Sequence, residues 1–162
     1  MQKHVSLREA IVAMVPDLAR DPDRLRCWID KGAIRARQTP AHHFSWSYTL
    51  SVLIADFTGH PSAIMLAINL WLRDNQPELL QPGRESSYRF EAEILDSGTV
   101  DLLIELDLEE DARATPDPAG GWTIEHPGDP VLLPDDLPLS DPAATLAEYG
   151  VPGVVLGETD GG

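Results

Sequence analysis

Five acidic side chains alternate with apolar ones between residues 88 and 108, and paired carboxylates are a common basis of enzymatic acid–base chemistry. They are Glu91, Glu93, Asp101, Glu105 and Asp107. General acid–base catalysis needs two carboxyl groups whose environments push their pKa values apart. Alternating acids are more typical of the solvated face of a half-buried sheet. The pattern therefore predicts a surface for solubility, ion binding or a basic partner, and no catalytic residue.

The histidines do not have the spacing of a metal site. Adjacent residues at the entrance to a strand point to opposite faces, which separates His42 from His43. His60 and His126 are isolated along the chain, and the one cysteine, Cys27, supplies no zinc-binding pair. We therefore predict no metal-binding residue.

Nucleophilic and phosphate-binding motifs are also missing from the sequence. The only internal glycine pair, Gly120-Gly121, lies between two loop-forming segments and indicates a turn. Acids dilute the one local group of arginines, which is Arg24, Arg26, Arg35 and Arg37. The serines of a predicted strand lack the context of a nucleophile elbow; they are Ser45, Ser47 and Ser51. We predict no cofactor and no enzymatic activity.

The net charge argues against partners that carry phosphate. The chain has 162 residues, with 27 acidic against 12 basic side chains and a formal net charge of −15 at pH 7. Affinity for nucleic acid rests largely on cations that neutralise phosphates. We therefore expect neither specific nucleic-acid binding nor attachment to an anionic membrane surface.

The charge is concentrated in the second part of the chain. Residues 1–95 hold 11 acidic and 11 basic side chains, whereas residues 96–162 hold 16 acids and one base, Arg113. Eight of the 14 prolines lie between Pro116 and Pro152. We predict a core-forming domain over residues 1–115 and an acidic, proline-rich C-terminal arm over residues 116–162, with a short strand near residues 122–126 and a short helix near residues 143–149.

The sequence predicts folding in a reducing compartment. A single cysteine cannot form an internal disulfide. The first residues lack the apolar segment of a signal peptide, and no stretch is long and apolar enough to cross a membrane. We expect a protein of the cytoplasm, or of a particle assembled there.

Helix signals dominate the first third of the chain. Ser6-Leu7-Arg8-Glu9 has the form of a capping box, and Pro16 predicts the end of that helix. Asp21-Pro22-Asp23-Arg24 predicts the start of a second helix of about three turns. Its apolar stripe would contain Leu25, Trp28 and Ile29, with Gly32 at its C-terminal end.

Strand patterns follow. Alternation from Phe44 to Ile54 predicts a strand whose second face becomes apolar at Leu53, Ala55 and Phe57. We expect the apolar run Ala63–Leu72 to be a buried helix that covers this second face. Tyr88–Ile94 and Val100–Leu108 predict a hairpin. The fold class predicted is α+β, with a mixed, mainly antiparallel sheet of four to five strands and about three helices.

Several segments resemble one protein family, the tail completion protein R family of P2-like contractile-tailed bacteriophages. The resemblance extends over residues 6–110 and ends with the hairpin Phe90–Leu108. It is carried first by the N-terminal helix signals, then by Asp56-Phe57-Thr58-Gly59, and then by the run from Trp71 to Leu79 that begins Trp-Leu-Arg-Asp-Asn-Gln-Pro. None of these segments is a catalytic signature.

The resemblance implies a structural role in phage tails. Such proteins look like tail terminators, which cap the head-proximal end of the tail tube and join it to the head. It implies a homo-hexameric ring as the assembly state, and as partners the tail tube, the sheath and the head–tail connector. It also implies residence in the virion tail after assembly in the host cytoplasm.

Two other readings of the residues stay open at this point. The acidic composition would also suit a DNA-mimic inhibitor that binds a basic protein. A small hydrolase would rest only on the scattered carboxylates. The size of the protein in solution would separate the inhibitor from a hexamer.

Overall fold

Short helices and long strands make up the described part of the chain. The computed structural model describes residues 2–38, 42–95 and 97–128, which belong to one unit bounded by residues 1 and 130. Its helices are α1 (Lys3–Met14), α2 (Asp17–Arg20) and α3 (Ser62–Asn75). Its strands are β1 (Leu25–Ala36), β2 (His42–Phe57), β3 (Arg89–Ile94), β4 (Val100–Pro116) and β5 (Trp122–Glu125). The helix predicted near residues 143–149 lies outside the described residues.

The strands form one sheet in the order β1-β2-β4-β3, with β5 paired to the far end of β4. Every pairing is antiparallel. The predicted α+β class, with four to five strands and about three helices, is confirmed, and so is the β3–β4 hairpin. The glycine pair Gly120-Gly121 forms the predicted turn, between β4 and β5, with both φ angles positive.

The core lies on one face of this sheet, which we call the helix face. Alternate residues of β2 and β4 are buried there, and they pack against Leu7 and Ile11 of α1 and Ile64, Ile68 and Leu72 of α3. The opposite side, the open face, has no helix over it within the described residues. On β4 the open face includes Asp101, Leu103, Glu105, Asp107, Glu109, Asp111 and Arg113.

The helix predicted after residue 21 is wrong. Asp21 and Pro22 begin only a 3-10 turn, Pro22–Arg24, and the chain then enters β1. Trp28, expected on the apolar stripe, lies on the open face opposite Ser51. Gly32, expected to end the helix, lies inside the strand opposite Tyr48.

A β-bulge explains why the pattern was misleading. Leu25, Cys27 and Ile29 face the helices, but the register shifts at Asp30. The next residues on the helix face are therefore Gly32 and Ile34, so a three-residue step interrupts the strand period. Pairing with β2 along 11 residue positions outweighs the local helix signal.

The first helix begins earlier than its sequence signal. It starts at Lys3 instead of at Ser6, and it ends at Met14, just before Pro16 as predicted. Ser6 lies inside the helix, where its hydroxyl donates to the Lys3 carbonyl at 3.2 Å and accepts from the Trp71 indole at 3.0 Å. A carboxylate on β4 accepts hydrogen bonds from the first backbone N–H groups of α1, and no capping side chain of the helix itself does so.

The predicted role of α3 is wrong in one respect. The helix packs on the first face of β2, and it does not cover Leu53 on the second face. Its own outer side leaves Leu66 and Leu70 about half exposed. The apolar run is therefore not fully buried, because α3 forms the outer layer of the described structure.

Candidate assembly surfaces

The five acidic residues singled out from the sequence share the open face, as predicted. The register pairs Glu93 with Asp101 and Arg89 with Glu105, and it places Glu91 opposite Leu103. These pairs lie at the edge of the sheet formed by β3. The open face is thus acidic along β3 and β4.

Arg89 neutralises two of these carboxylates. Its Nε lies 3.3 Å from Glu105 Oε2 and its Nη1 lies 3.1 Å from Asp107 Oδ2. Partial burial acts to raise the pKa of Asp107, but hydrogen bonds from Thr49 and Arg89 outweigh it and hold that pKa below its ordinary value. Asp107 accepts a hydrogen bond from Thr49 at 2.7 Å. The cluster keeps Asp107 ionised, which is the opposite of what a catalytic acid requires.

A buried carboxylate ties α1 to β4. Glu110 Oε2 accepts the backbone N–H of Gln2 at 2.7 Å, and Oε1 accepts that of Lys3 at 3.3 Å and the Tyr48 hydroxyl. Burial acts to raise the pKa of Glu110, but these donors lower it below its ordinary value. Burial and the neighbouring carboxylate raise the pKa of Tyr48. The ionised carboxylate thus satisfies amides that a helix start leaves free.

Gln76 covers part of the β4 edge that pairs with no second strand. Beyond β2, this strand pairs with β3 at residues 100–105 and with β5 at residues 113–116, which leaves residues 106–112 without a second strand in the described structure. Gln76 Oε1 accepts the Glu109 N–H at 3.0 Å and the Lys3 ammonium at 2.9 Å. Lys3 also donates to the Glu109 carbonyl at 2.7 Å. Side chains therefore take the place of a neighbouring strand at Glu109.

The Asp-Phe-Thr-Gly segment forms the turn at the end of β2. Asp56 has a positive φ of 50°, and its N–H donates to Asp101 Oδ1 at 2.7 Å. Arg24 donates to the carbonyls of residues 55 and 56. Phe57 is buried, and a Cβ on Gly59 would lie 2.7 Å from its Cζ atom. Gly59 is therefore needed for space, not for a ligand.

The candidate histidines lie apart. His42 contacts the Trp122 ring at the far end of β4, with centroids 4.8 Å apart. His60 accepts the Ser62 N–H before α3, and His126 follows β5. In the described part of the chain, no group of histidine, cysteine and acidic residues has the geometry of a metal site.

Cys27 and Ser51 have structural roles in the described part of the chain. Burial raises the pKa of the Cys27 thiol, which disfavours the reactive thiolate. Ser51 donates to Asp30 at 2.6 Å, and this bond together with that from the Trp28 indole lowers the pKa of Asp30. Asp30 therefore fastens the β1 bulge to β2.

One cleft in the described structure is lined by polar side chains of both charges. Its volume is about 600 Å³, and it is bordered by β1, β2, β4 and the turn that begins at Gln76. Lys31, Thr49, Arg84 and Asp107 are among its lining side chains, which include no histidine or cysteine. It offers polar groups of both charges to a partner surface, and its Thr49–Asp107 contact belongs to the ion-paired cluster of Arg89.

Comparison with known proteins decides the family. A model of the family described as P2 phage tail completion protein R matches residues 1–130. The chain belongs to that family. It is 35% identical over 112 residues to the Tail completion protein R of Escherichia phage P2. The aligned region covers 68% of this chain and 72% of that relative. No solved structure matches the chain significantly.

The segments that suggested the tail completion protein R family serve the fold. Trp71 and Leu72 are buried in the core, Asn75 donates to the Trp71 carbonyl at 2.9 Å, and Gln76 binds β4. Pro77 begins the 3-10 turn that ends this segment. The family resemblance is confirmed, and its motifs position the elements instead of forming an active site.

Exposed apolar side chains are the feature that sequence reasoning missed in this family member. Phe90 and Ile94 belong to the apolar side of the predicted hairpin, and they are 60% and 81% exposed. They lie on the helix face, beyond the reach of the helices, because β3 is an edge strand. No local signal in the sequence marks β3 as an edge strand, because strand order depends on long-range pairing. No described helix of the chain is long and apolar enough to span a membrane.

Proposed function

We propose that the protein is a structural component that completes a phage tail by capping the head-proximal end of the tail tube and joining it to the head. The match of the P2 phage tail completion protein R family to residues 1–130 supports this role most directly. The named relative, Tail completion protein R of phage P2, supports it over 112 residues. The structural nature of the family favours a protein without enzymatic activity.

A homo-hexameric ring is part of the proposal. A closed ring needs two different, complementary surfaces on each subunit. The sheet has two unpaired edges in the described structure, and apolar side chains are exposed along both of them. These surfaces support assembly with copies of the same chain, with the tube and sheath, and with the connector between tail and head.

The C-terminal arm is proposed as a second contact. We retain the division into a domain over residues 1–115 and an arm over residues 116–162, although β5 within that span pairs with β4. The acidic, proline-rich composition of the arm suits extended binding on a neighbouring subunit, the sheath or the connector. Removal of residues 129–162 leaves β5 in place, so a truncated chain that still caps tails would contradict this contact.

Negative-stain imaging of the purified protein with and without tail tubes tests the main proposal. We expect rings, and caps at one end of each tube that stop further tube growth. Labelled connector complexes should mark the capped end as the head-proximal one. Tubes that elongate normally in the presence of the protein, with bare ends, would contradict the proposed function.

A further inference from the structure

The two edge strands of the sheet are both open. β1 and β3 are the ends of the strand order, and within the described residues neither pairs with a further strand. Open edges carry backbone N–H and C=O groups that another chain can bind. At one end of β1, however, Arg8 binds the carbonyl of Leu25. The part of this edge beyond the β1 bulge, Lys31–Ala36, lies away from this contact.

The open face has opposite charges at these two edges. On β1, Lys31 pairs with Thr49 and Arg35 pairs with Ser45, which puts both cations on the open face. On β3, Glu91 and Glu93 lie on the same face. All four side chains are exposed. One edge thus presents two cations, and the other presents two carboxylates beside Arg89, whose charge Glu105 and Asp107 of β4 already pair.

The helix face is apolar at both edges. Phe90 and Ile94 lie on this face of β3, opposite Ile104 and Val100 of β4. On β1, Ile34 lies on the same face opposite Trp46 and is 53% exposed. At both edges, therefore, the charged side chains lie on the open face and the apolar side chains lie on the helix face.

We propose that β3 of one copy pairs with β1 of the next copy, so that the sheet continues from subunit to subunit around the ring. This inference rests on the proposed ring. Because β1 and β3 run in opposite directions, a rotation about an axis along the strands brings them together as an antiparallel pair. The helix faces then stay on the same side, so that carboxylates meet cations and apolar side chains meet each other.

Charge disfavours the two-fold alternatives. Pairing β3 with β3 of a second copy would place Glu91 and Glu93 against their own counterparts. Pairing β1 with β1 would do the same to Lys31 and Arg35. Like charges on directly opposed strand residues are destabilising, so the edges select the head-to-tail contact over either isologous dimer.

Charge reversal on full-length protein tests the contact. The acidic edge is reversed by Glu91→Lys with Glu93→Lys, and the basic edge by Lys31→Glu with Arg35→Glu. A control, Glu9→Lys with Asp74→Lys, reverses two exposed helix residues by the same amount. Native mass spectrometry and sedimentation velocity measure the ring, and thermal unfolding checks that each variant folds.

We expect each edge variant alone to weaken the junction by about tenfold or more. An equimolar mixture of the two, and a chain carrying all four reversals, should regain rings because opposite charges meet again. The control should assemble like the wild type. Rings that persist in both edge variants, a fourfold variant that does not recover, or a wild-type chain that stays monomeric would each overturn the contact.

The same variants separate this contact from the proposed function. Rings that follow the charge pattern but never cap tubes would leave the edge contact standing and refute the capping role. Caps that form equally well in every variant would refute the edge contact and leave the capping role standing.

Discussion

Two buried polar side chains, Gln76 and Glu110, bind backbone amides that no neighbouring element satisfies. Gln76 accepts the Glu109 N–H at the unpaired edge of β4, and Glu110 accepts the first backbone N–H groups of α1. A buried amide without a partner costs more than a typical hydrogen bond contributes. These two residues therefore stabilise the fold by preventing unsatisfied groups. Neither role could be predicted from the sequence, since their partners lie 33 and 108 residues away.

Replacing Gln76 tests the first role. Gln76→Leu keeps an apolar body of similar size but removes the acceptor of the Glu109 N–H, so we expect a loss of about 1–3 kcal/mol in the free energy of unfolding. Denaturant titration measures it. The control Gln81→Leu, at an exposed position, should stay within about 0.5 kcal/mol of the wild type. Equal effects of the two changes would contradict the role given to Gln76.

Acid should weaken the contact made by Glu110. Its pKa is lowered in the folded protein from an ordinary value of 4.5. The stabilisation is therefore present above pH 4.5 and is lost as the pH falls through the folded-state pKa. We expect Glu110→Gln to destabilise the protein at about pH 7 and to differ less from the wild type at about pH 3.

Denaturant titrations at both pH values, at constant ionic strength, measure this difference. Glu109→Gln is the matched control, because its neighbouring carboxylate is exposed. A gap between Glu110→Gln and the wild type that stays constant with pH would show that Glu110 does not act through its charge.

At the scale of elements, alternating patterns were predictive and interrupted ones were not. The regular alternation of β3 and β4 predicted the hairpin, and together with that of β2 it predicted the sheet of the α+β class. The bulge at Asp30 hid the period of β1, so a helix was predicted there. The apolar pattern of α3 gave its type but not its exposure, because burial depends on which elements lie outside it. The physical limit was tertiary context, which single-chain periodicity does not contain.

The turn after β2 gives a prediction about packing. A methyl group at residue 59 would lie 2.7 Å from the Phe57 ring, so Gly59→Ala should destabilise the protein by about 1–3 kcal/mol. Gly128→Ala, where a Cβ meets nothing within 4 Å, should have little effect. Thermal unfolding measures both changes.

A double-mutant cycle identifies the cause. If the Phe57 ring is the obstacle, Phe57→Leu should cost less in the Gly59→Ala background than in the wild type. Additive effects of the two substitutions would place the strain somewhere other than this contact.

At the scale of the whole molecule, the described surface favours assembly over catalysis. The open face keeps Asp107 ionised, and the cleft bordered by β1, β2 and β4 has no histidine or cysteine in its lining. The open edges instead offer unpaired strands with apolar and charged sides. The sequence predicted the acidic face from its alternation, but it could not predict which strands are edges, since strand order depends on long-range pairing.

The exposed residues of β3 should matter to the assembly and not to the subunit. Phe90→Ser combined with Ile94→Ser removes side chains that are 60% and 81% exposed. We expect the unfolding free energy of the subunit to change by about 0.5 kcal/mol or less, and the ring to dissociate at higher protein concentration than the wild type. Sedimentation velocity across a dilution series measures the latter.

Leu66→Ser with Leu70→Ser is the matched control, because it removes two half-exposed apolar residues from α3. It should leave the ring intact. Rings that withstand dilution equally in both double variants would exclude β3 from the subunit contact.

The tie between Glu110 and the amides of Gln2 and Lys3 also bears on how the protein is made. Chains leave the ribosome with the N-terminus first. The α1 segment therefore emerges long before Glu110, whose carboxylate binds its first backbone amides. Contacts separated by more than 100 residues slow folding, because a large loop must close first. We therefore expect α1 to mature only after residue 110 has left the ribosome. A subunit whose synthesis stops before residue 110 would thus lack a completed first turn of α1.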